Sequence, residues 1–97
     1  MVPPTPDQFA AMEQWLGEVR AVLIALSDFI PSDALSIPSR LIDHGEAPEA
    51  LVQMAWVITN YEVRVPSWII DAIYELGGQI NDPEHLPPDL RDFAADA

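Results

Sequence analysis

The side chains with which this chain could do chemistry are two histidines, sixteen carboxylates and three tryptophans, with no cysteine among its 97 residues. Without a thiol there is no thiol nucleophile, no thiolate metal site and no disulfide. A zinc-type site needs histidines one helical turn apart, and His44 and His85 lie in different segments with no His-Glu-x-x-His run between them. His44 has Asp43 and Glu46 beside it, a ligand set by type. A histidine closing a helix, however, serves the negative end of the helix dipole. Asp71 and Glu75 stand four apart, the spacing of a general acid and base on one helix face. In a chain this rich in acids the pair reads as a solvated face. Gly77-Gly78 has no Lys-Ser or Lys-Thr after it and is not a phosphate loop. No catalytic, cofactor-binding or metal-binding residue is predicted, and the expected activity is binding rather than catalysis.

The tryptophans carry more information. With Leu51 at the centre of a buried helix face and 100° per residue, Trp56 falls about 140° away, beside Glu49, Gln53 and Asn60. An indole among polar residues needs a cover, which is either the chain's own tail through Leu86, Leu90 or Phe93, or a partner. Trp68 lies at the edge of the next helix's buried face, on the side of Asp71 and Glu75. Trp15 is assigned to the core. Carboxylates pair with guanidinium groups and indole faces attract cations, so this combination suits an arginine- or lysine-rich protein surface. The predicted partner contacts are Glu49, Gln53, Trp56, Glu62, Trp68, Asp71 and Glu75.

The charge agrees with such a partner. Sixteen acids against four bases, all arginine, leave a net charge of −12. That field repels nucleic acid and anionic lipid, and it speeds encounter with a cationic protein. A basic protein is the expected partner, with neither nucleic acid nor membrane. The longest apolar run, Ala21 to Leu26, is far short of the ~20 residues that span a bilayer. The start, Met1-Val2-Pro3-Pro4, lacks the basic and apolar segments of a signal peptide, and a cytoplasmic location is expected.

The elements that would position these groups are helical. At 49% hydrophobic residues the chain can bury a core, and its length suits one domain over 1–97. Thr5, Pro6 and Gln8 form a capping box with proline at the first helical position. Phe9, Met12, Leu16, Val19, Leu23, Leu26 and Ile30 then recur at helical spacing until Pro31, predicting a first helix of about 35 Å. Trp15, Val22 and Phe29 form a flanking stripe. Residues 1–5 are expected to be a flexible arm.

A short second helix is broken or restarted around Pro38, buries Leu41 and Ile42, and stops at Gly45. The third spans Ala47 to Asn60, burying Ala47, Leu51, Met54, Ala55 and Ile58. Residues 61–65 alternate but have no strand to pair with, and read as a connection. Pro66 opens a fourth helix aligning Ile69, Ile73, Leu76 and Ile80, ended by Gly77-Gly78. Residues 82–97 form a proline-rich tail pinned by Leu86, Leu90 and Phe93, with fraying at its end. The predicted fold is all-α, a bundle of four helices with antiparallel neighbours plus a short C-terminal helical turn.

The stretch Leu41-Ile42-Asp43-His44-Gly45-Glu46-Ala47-Pro48-Glu49-Ala50-Leu51 resembles small acidic bacterial immunity proteins of polymorphic toxin systems, the Maf-type and their relatives. In that pattern a helix ends in Ile-Asp-His-Gly-Glu and an Ala-Leu pair begins the next. A polar connection, here Tyr61 to Val65, leads to a further helix. The likeness runs from Leu41 to Leu76. It implies a stoichiometric inhibitor of a cognate toxin's catalytic domain, often a nuclease. The free chain is expected to be a monomer, with a homodimer as the alternative. Asp43 and Glu46 are expected to hold the helix junction by capping backbone amides. The alternative is a structural or adaptor subunit that self-associates through Trp15, Val22 and Phe29 of helix one.

Overall fold

The computed structural model describes residues 3, 5–78 and 83–96. It is an all-α bundle of four helices: α1 (Pro6–Leu26), α2 (Ser36–Asp43), α3 (Ala47–Asn60) and α4 (Ser67–Gly77). A 3-10 turn at Ser32–Leu35 leads into α2, and two more, Pro83–His85 and Leu90–Phe93, lie in the tail. Most of the predicted arm at 1–5 and the predicted core position Ile80 lie outside the described residues.

The local signals act as read. Thr5 Oγ1 accepts from the Gln8 amide at 3.2 Å, and Gln8 Oε1 accepts from the Thr5 amide at 2.9 Å, closing the capping box. Pro38 sits in the first turn of α2, where no intrahelical partner for its missing N–H is needed, so the helix starts at Ser36 and runs straight through it. At the α2 end Gly45 takes φ +78°. Its amide bonds the Ile42 carbonyl at 3.2 Å, and the Glu46 amide bonds the Leu41 carbonyl at 2.7 Å. This pair of bonds holds the α2–α3 corner. The Glu46 side chain makes no capping bond there, contrary to its expected role, and Asp43 instead reaches Arg20 at 3.5 Å.

The same two-bond closure ends α3 without a glycine. The Glu62 amide bonds Thr59 O and the Val63 amide bonds Ile58 O, both at 3.2 Å, with Glu62 at φ +52°. A side chain in that region is strained by about 1 kcal/mol. Glu62→Gly is expected to stabilise the protein by about 0.5 kcal/mol, the strain relief being partly offset by glycine's greater unfolded-state entropy. Chemical denaturation reads this as a raised midpoint at constant slope.

Two expectations for the first helix need correction. The helix ends at Leu26, and Ile30 is reached through a turn in which its amide bonds Leu26 O at 2.9 Å. Pro31 disfavours helical backbone at Ile30, yet the side chain is still buried. The apolar spacing therefore outlasts the helix. At the other end Phe9 and Met12 are 54% and 55% exposed, and the first buried residue of α1 is Val19. α1 is 21 residues long against 14 in α3 and 11 in α4, so its first turns overhang its neighbours.

The core is wholly apolar among the described residues. Leu26, Ile30, Leu51, Met54, Ile58, Ile69, Ile70, Ile73 and Leu90 are its largest members. The Trp15 indole donates to the Leu76 carbonyl at 3.1 Å, satisfying a group left open by the end of α4 and tying it to α1.

The tail closes the other side. Leu90 is fully buried, with Leu86 and Phe93 half-buried, as predicted. No strand forms among the described residues. The 61–65 connection nevertheless finds a partner at one point: the Val65 amide bonds Phe93 O at 3.0 Å and the Ala95 amide bonds Val65 O at 2.8 Å, a single parallel bridge.

The tail is bonded to the bundle as far as Asp96. Its carboxylate accepts from the Ser67 amide at 2.7 Å and from the Ser67 hydroxyl at 3.0 Å, supplying the N-terminal cap that Pro66 cannot. These bonds hold the Asp96 pKa below the usual carboxylate value. A depressed folded-state pKa means that the cap's contribution is fully present above the unfolded value and is lost as pH falls through the folded one. The stability difference between the native chain and Asp96→Asn should therefore be constant near neutrality and vanish in acid, measured by thermal melts across pH.

Candidate functional site

α4 runs back along α1, and between them lies a groove of about 300 Å³. Its floor is Ala21, Val22, Ala72 and Leu76, and its rim carries Trp68, Glu75 and Glu18. Trp68 and Glu75 are seven apart on α4 and so nearly aligned, with Ala72 between them keeping the groove open. Glu18 approaches from α1, one turn before Val22. Its carboxylate accepts from Gln14 at 3.4 Å, whereas Glu75 has no hydrogen-bond or ion-pair partner among the described residues.

The three indoles differ in what they do. Trp15 donates to Leu76, and Trp56 donates to the His85 carbonyl at 2.9 Å, across to the tail. Trp68 is 53% exposed, and its indole N–H has no partner among the described residues. The tail is thus the polar partner of Trp56, although the ring remains 40% exposed. Trp68 lines the α1–α4 groove, and Trp56 is not among that groove's lining residues.

The other predicted contacts are dispersed. Glu49 is exposed in the first turn of α3, Gln53 is half-buried, and Glu62 sits at the strained α3 corner. Asp71 is already engaged: Arg91 Nη1 bonds its Oδ1 at 2.9 Å while the guanidinium lies 4.3 Å from the Tyr74 ring centre. α4 therefore carries two adjacent aromatic–carboxylate stripes. Tyr74 with Asp71 is filled by the chain's own arginine, and Trp68 with Glu75 is open. Glu18 was not among the predicted contacts.

Of the two histidines, His44 closes α2 as an exposed residue and His85 contributes a backbone carbonyl. Among the described residues no group of three or more His, Asp or Glu side chains is placed to hold a metal. Among those residues, too, no helix is long and apolar enough to cross a membrane. A second groove, of about 480 Å³, lies under the α1 overhang against the α2–α3 corner, lined by Met12, Trp15, Leu16, Gly45, Ala47 and Pro48. It holds no charged side chain. No protein-family model, curated protein or solved structure matches the chain.

Proposed function

We propose that this chain is a non-catalytic inhibitor that docks a basic protein domain on its acidic surface, acting in the cytoplasm as an immunity protein against a cognate toxin domain. The observation that carries the docking is the α1–α4 groove, whose lining combines a half-exposed tryptophan with a free indole and two carboxylates. A chain of net charge −12 has few cations of its own to neutralise such a surface. Asp43 and Asp71 are ion-paired to arginine, whereas Glu18 and Glu75 are not. Long-range attraction then speeds the encounter and the aromatic supplies the desolvated anchor. The toxin as target rests on the Leu41–Leu51 resemblance. A domain that cleaves nucleic acid carries positive charge at its substrate groove, and an acidic cap occludes it without any chemistry of its own.

The test is affinity capture with the purified chain, followed by reconstitution of the captured protein from purified components. The expected result is a one-to-one complex with a basic domain that loses its activity on binding and whose association slows steeply with salt. Association insensitive to salt, or a complex that leaves the partner fully active, overturns the inhibitor reading.

The adaptor reading draws on a different surface. Val22 is buried and Trp15 is bonded to α4, so the face to serve self-association is the overhang with Phe9 and Met12 above the apolar groove. Sedimentation at micromolar concentration separates the two readings. A dimer that Met12→Glu dissociates supports the adaptor, and a monomer supports the free inhibitor.

A further inference from the structure

We infer that the α1–α4 groove is a socket for one arginine side chain of the partner, with Trp68 stacking on the guanidinium and Glu18 and Glu75 receiving its N–H groups. The inference rests on the docking proposed above and names the chemical group that the groove selects.

The protein carries its own precedent one stripe away. On α4 an arginine has settled against an aromatic ring and a carboxylate three residues apart, Arg91 on Tyr74 and Asp71. The neighbouring stripe offers groups of the same two kinds, an aromatic ring and a carboxylate, seven residues apart instead of three, with a second carboxylate from α1, and no arginine of this chain is bonded to either carboxylate. The floor of Ala21, Val22 and Ala72 is apolar and matches the methylene stem of a long cationic side chain. Arginine is favoured over lysine for a physical reason. Its planar guanidinium is weakly hydrated, stacks on a ring face and presents N–H groups in several directions at once, whereas an ammonium is a compact and strongly hydrated point charge. A ring on one side and carboxylates on two helices suit the former.

The test is a titration of the full-length chain, labelled with ¹⁵N, with the capped tripeptides acetyl-Gly-Arg-Gly-amide and acetyl-Gly-Lys-Gly-amide at low ionic strength. The three indole N–H signals report separately, because those of Trp15 and Trp56 are bonded to carbonyls and that of Trp68 is not. The arginine peptide is expected to shift the Trp68 signal saturably and leave the other two in place, with the lysine peptide at least about threefold weaker. Glu18→Gln and Glu75→Gln should each weaken the arginine peptide by about two- to fivefold. Trp68→Ala, which leaves the charge unchanged, should abolish the preference for arginine. Equal binding of both peptides, with shifts spread over many carboxylates, overturns the socket while leaving the acidic docking surface standing. Binding of neither peptide at low ionic strength overturns both. The comparison of the two peptides on the unsubstituted chain holds whatever the variants do to folding.

Discussion

Leu90→Ala is expected to lower the stability of the protein by about 3 kcal/mol, within the range for truncating a fully buried leucine. For a domain of this size that corresponds to a fall in melting temperature of more than about 10 °C. The size of the effect comes from what Leu90 holds in place. Its side chain is fully buried, and it stands between the tail residues that make long-range bonds. On one side His85 receives the Trp56 indole; on the other Arg91 bonds Asp71, Phe93 and Ala95 bridge Val65, and Asp96 caps α4. Of those bonds, the ones between exposed groups are worth little by themselves, because they exchange with water. They form only while the tail is docked, and Leu90 is the tail's one large, fully buried side chain among the described residues. Loosening it should expose the amides of Ser67, Val65 and Ala95 together in hydrogen exchange. Leu86→Ala, at a half-buried position, should cost about 1 kcal/mol and serves as the comparison. A Leu90→Ala loss below 1 kcal/mol, with Ser67 still protected, would mean that the tail is not part of the cooperative unit.

That dependence on the tail also marks where the sequence stopped being legible. The helices were readable because each has local punctuation: Thr5-Pro6-Gln8 starts α1, Gly45 stops α2, Pro48 opens α3, Pro66 precedes α4 and Gly77 ends it. Such signals act within about one turn and survive any tertiary arrangement. Apolar period is a weaker guide, because it reports burial and not helicity. Ile30 is buried from a turn, and Phe9 and Met12 keep the period where no neighbour is long enough to cover them. The cap of α4 comes from Asp96, twenty-nine residues away, outside the reach of any local capping rule.

The candidate site shows the same division. Trp68 and Glu75 were legible as an indole and a carboxylate on one helix. Glu18 was not, because it looks like any solvated acid on α1 until the register of α1 against α4 places it across the groove. Trp56 left two covers open on sequence grounds, and its angular position alone could not choose between them. Its bond to His85 belongs to the docked tail, a long-range feature that helical geometry does not contain.

The second large effect follows from that contrast between the indoles, and it separates a structural tryptophan from a binding one. Trp56→Ala is expected to cost about 2 kcal/mol of stability, less than for a fully buried ring because Trp56 is 40% exposed. The loss has two parts, the area between the ring and its neighbours and the hydrogen bond that holds the tail at His85. Trp56→Phe keeps much of the first and removes the second, and should fall between the two. Trp68→Ala should leave stability within about 0.5 kcal/mol, because that ring is 53% exposed and its N–H bonds nothing among the described residues. For binding to a basic protein domain the order reverses. Trp68→Ala should remove about 2 kcal/mol or more, the scale of an interfacial hot spot and roughly a thirtyfold weaker complex, while Trp56→Ala changes affinity little under conditions where the variant is folded. Thermal melts and titration calorimetry on the same preparations read both quantities. If Trp56→Ala weakens binding with its melting temperature intact, the docking face lies on the exposed flank of α3 with Glu49 and Gln53, and the groove between α1 and α4 is only a seam in the bundle.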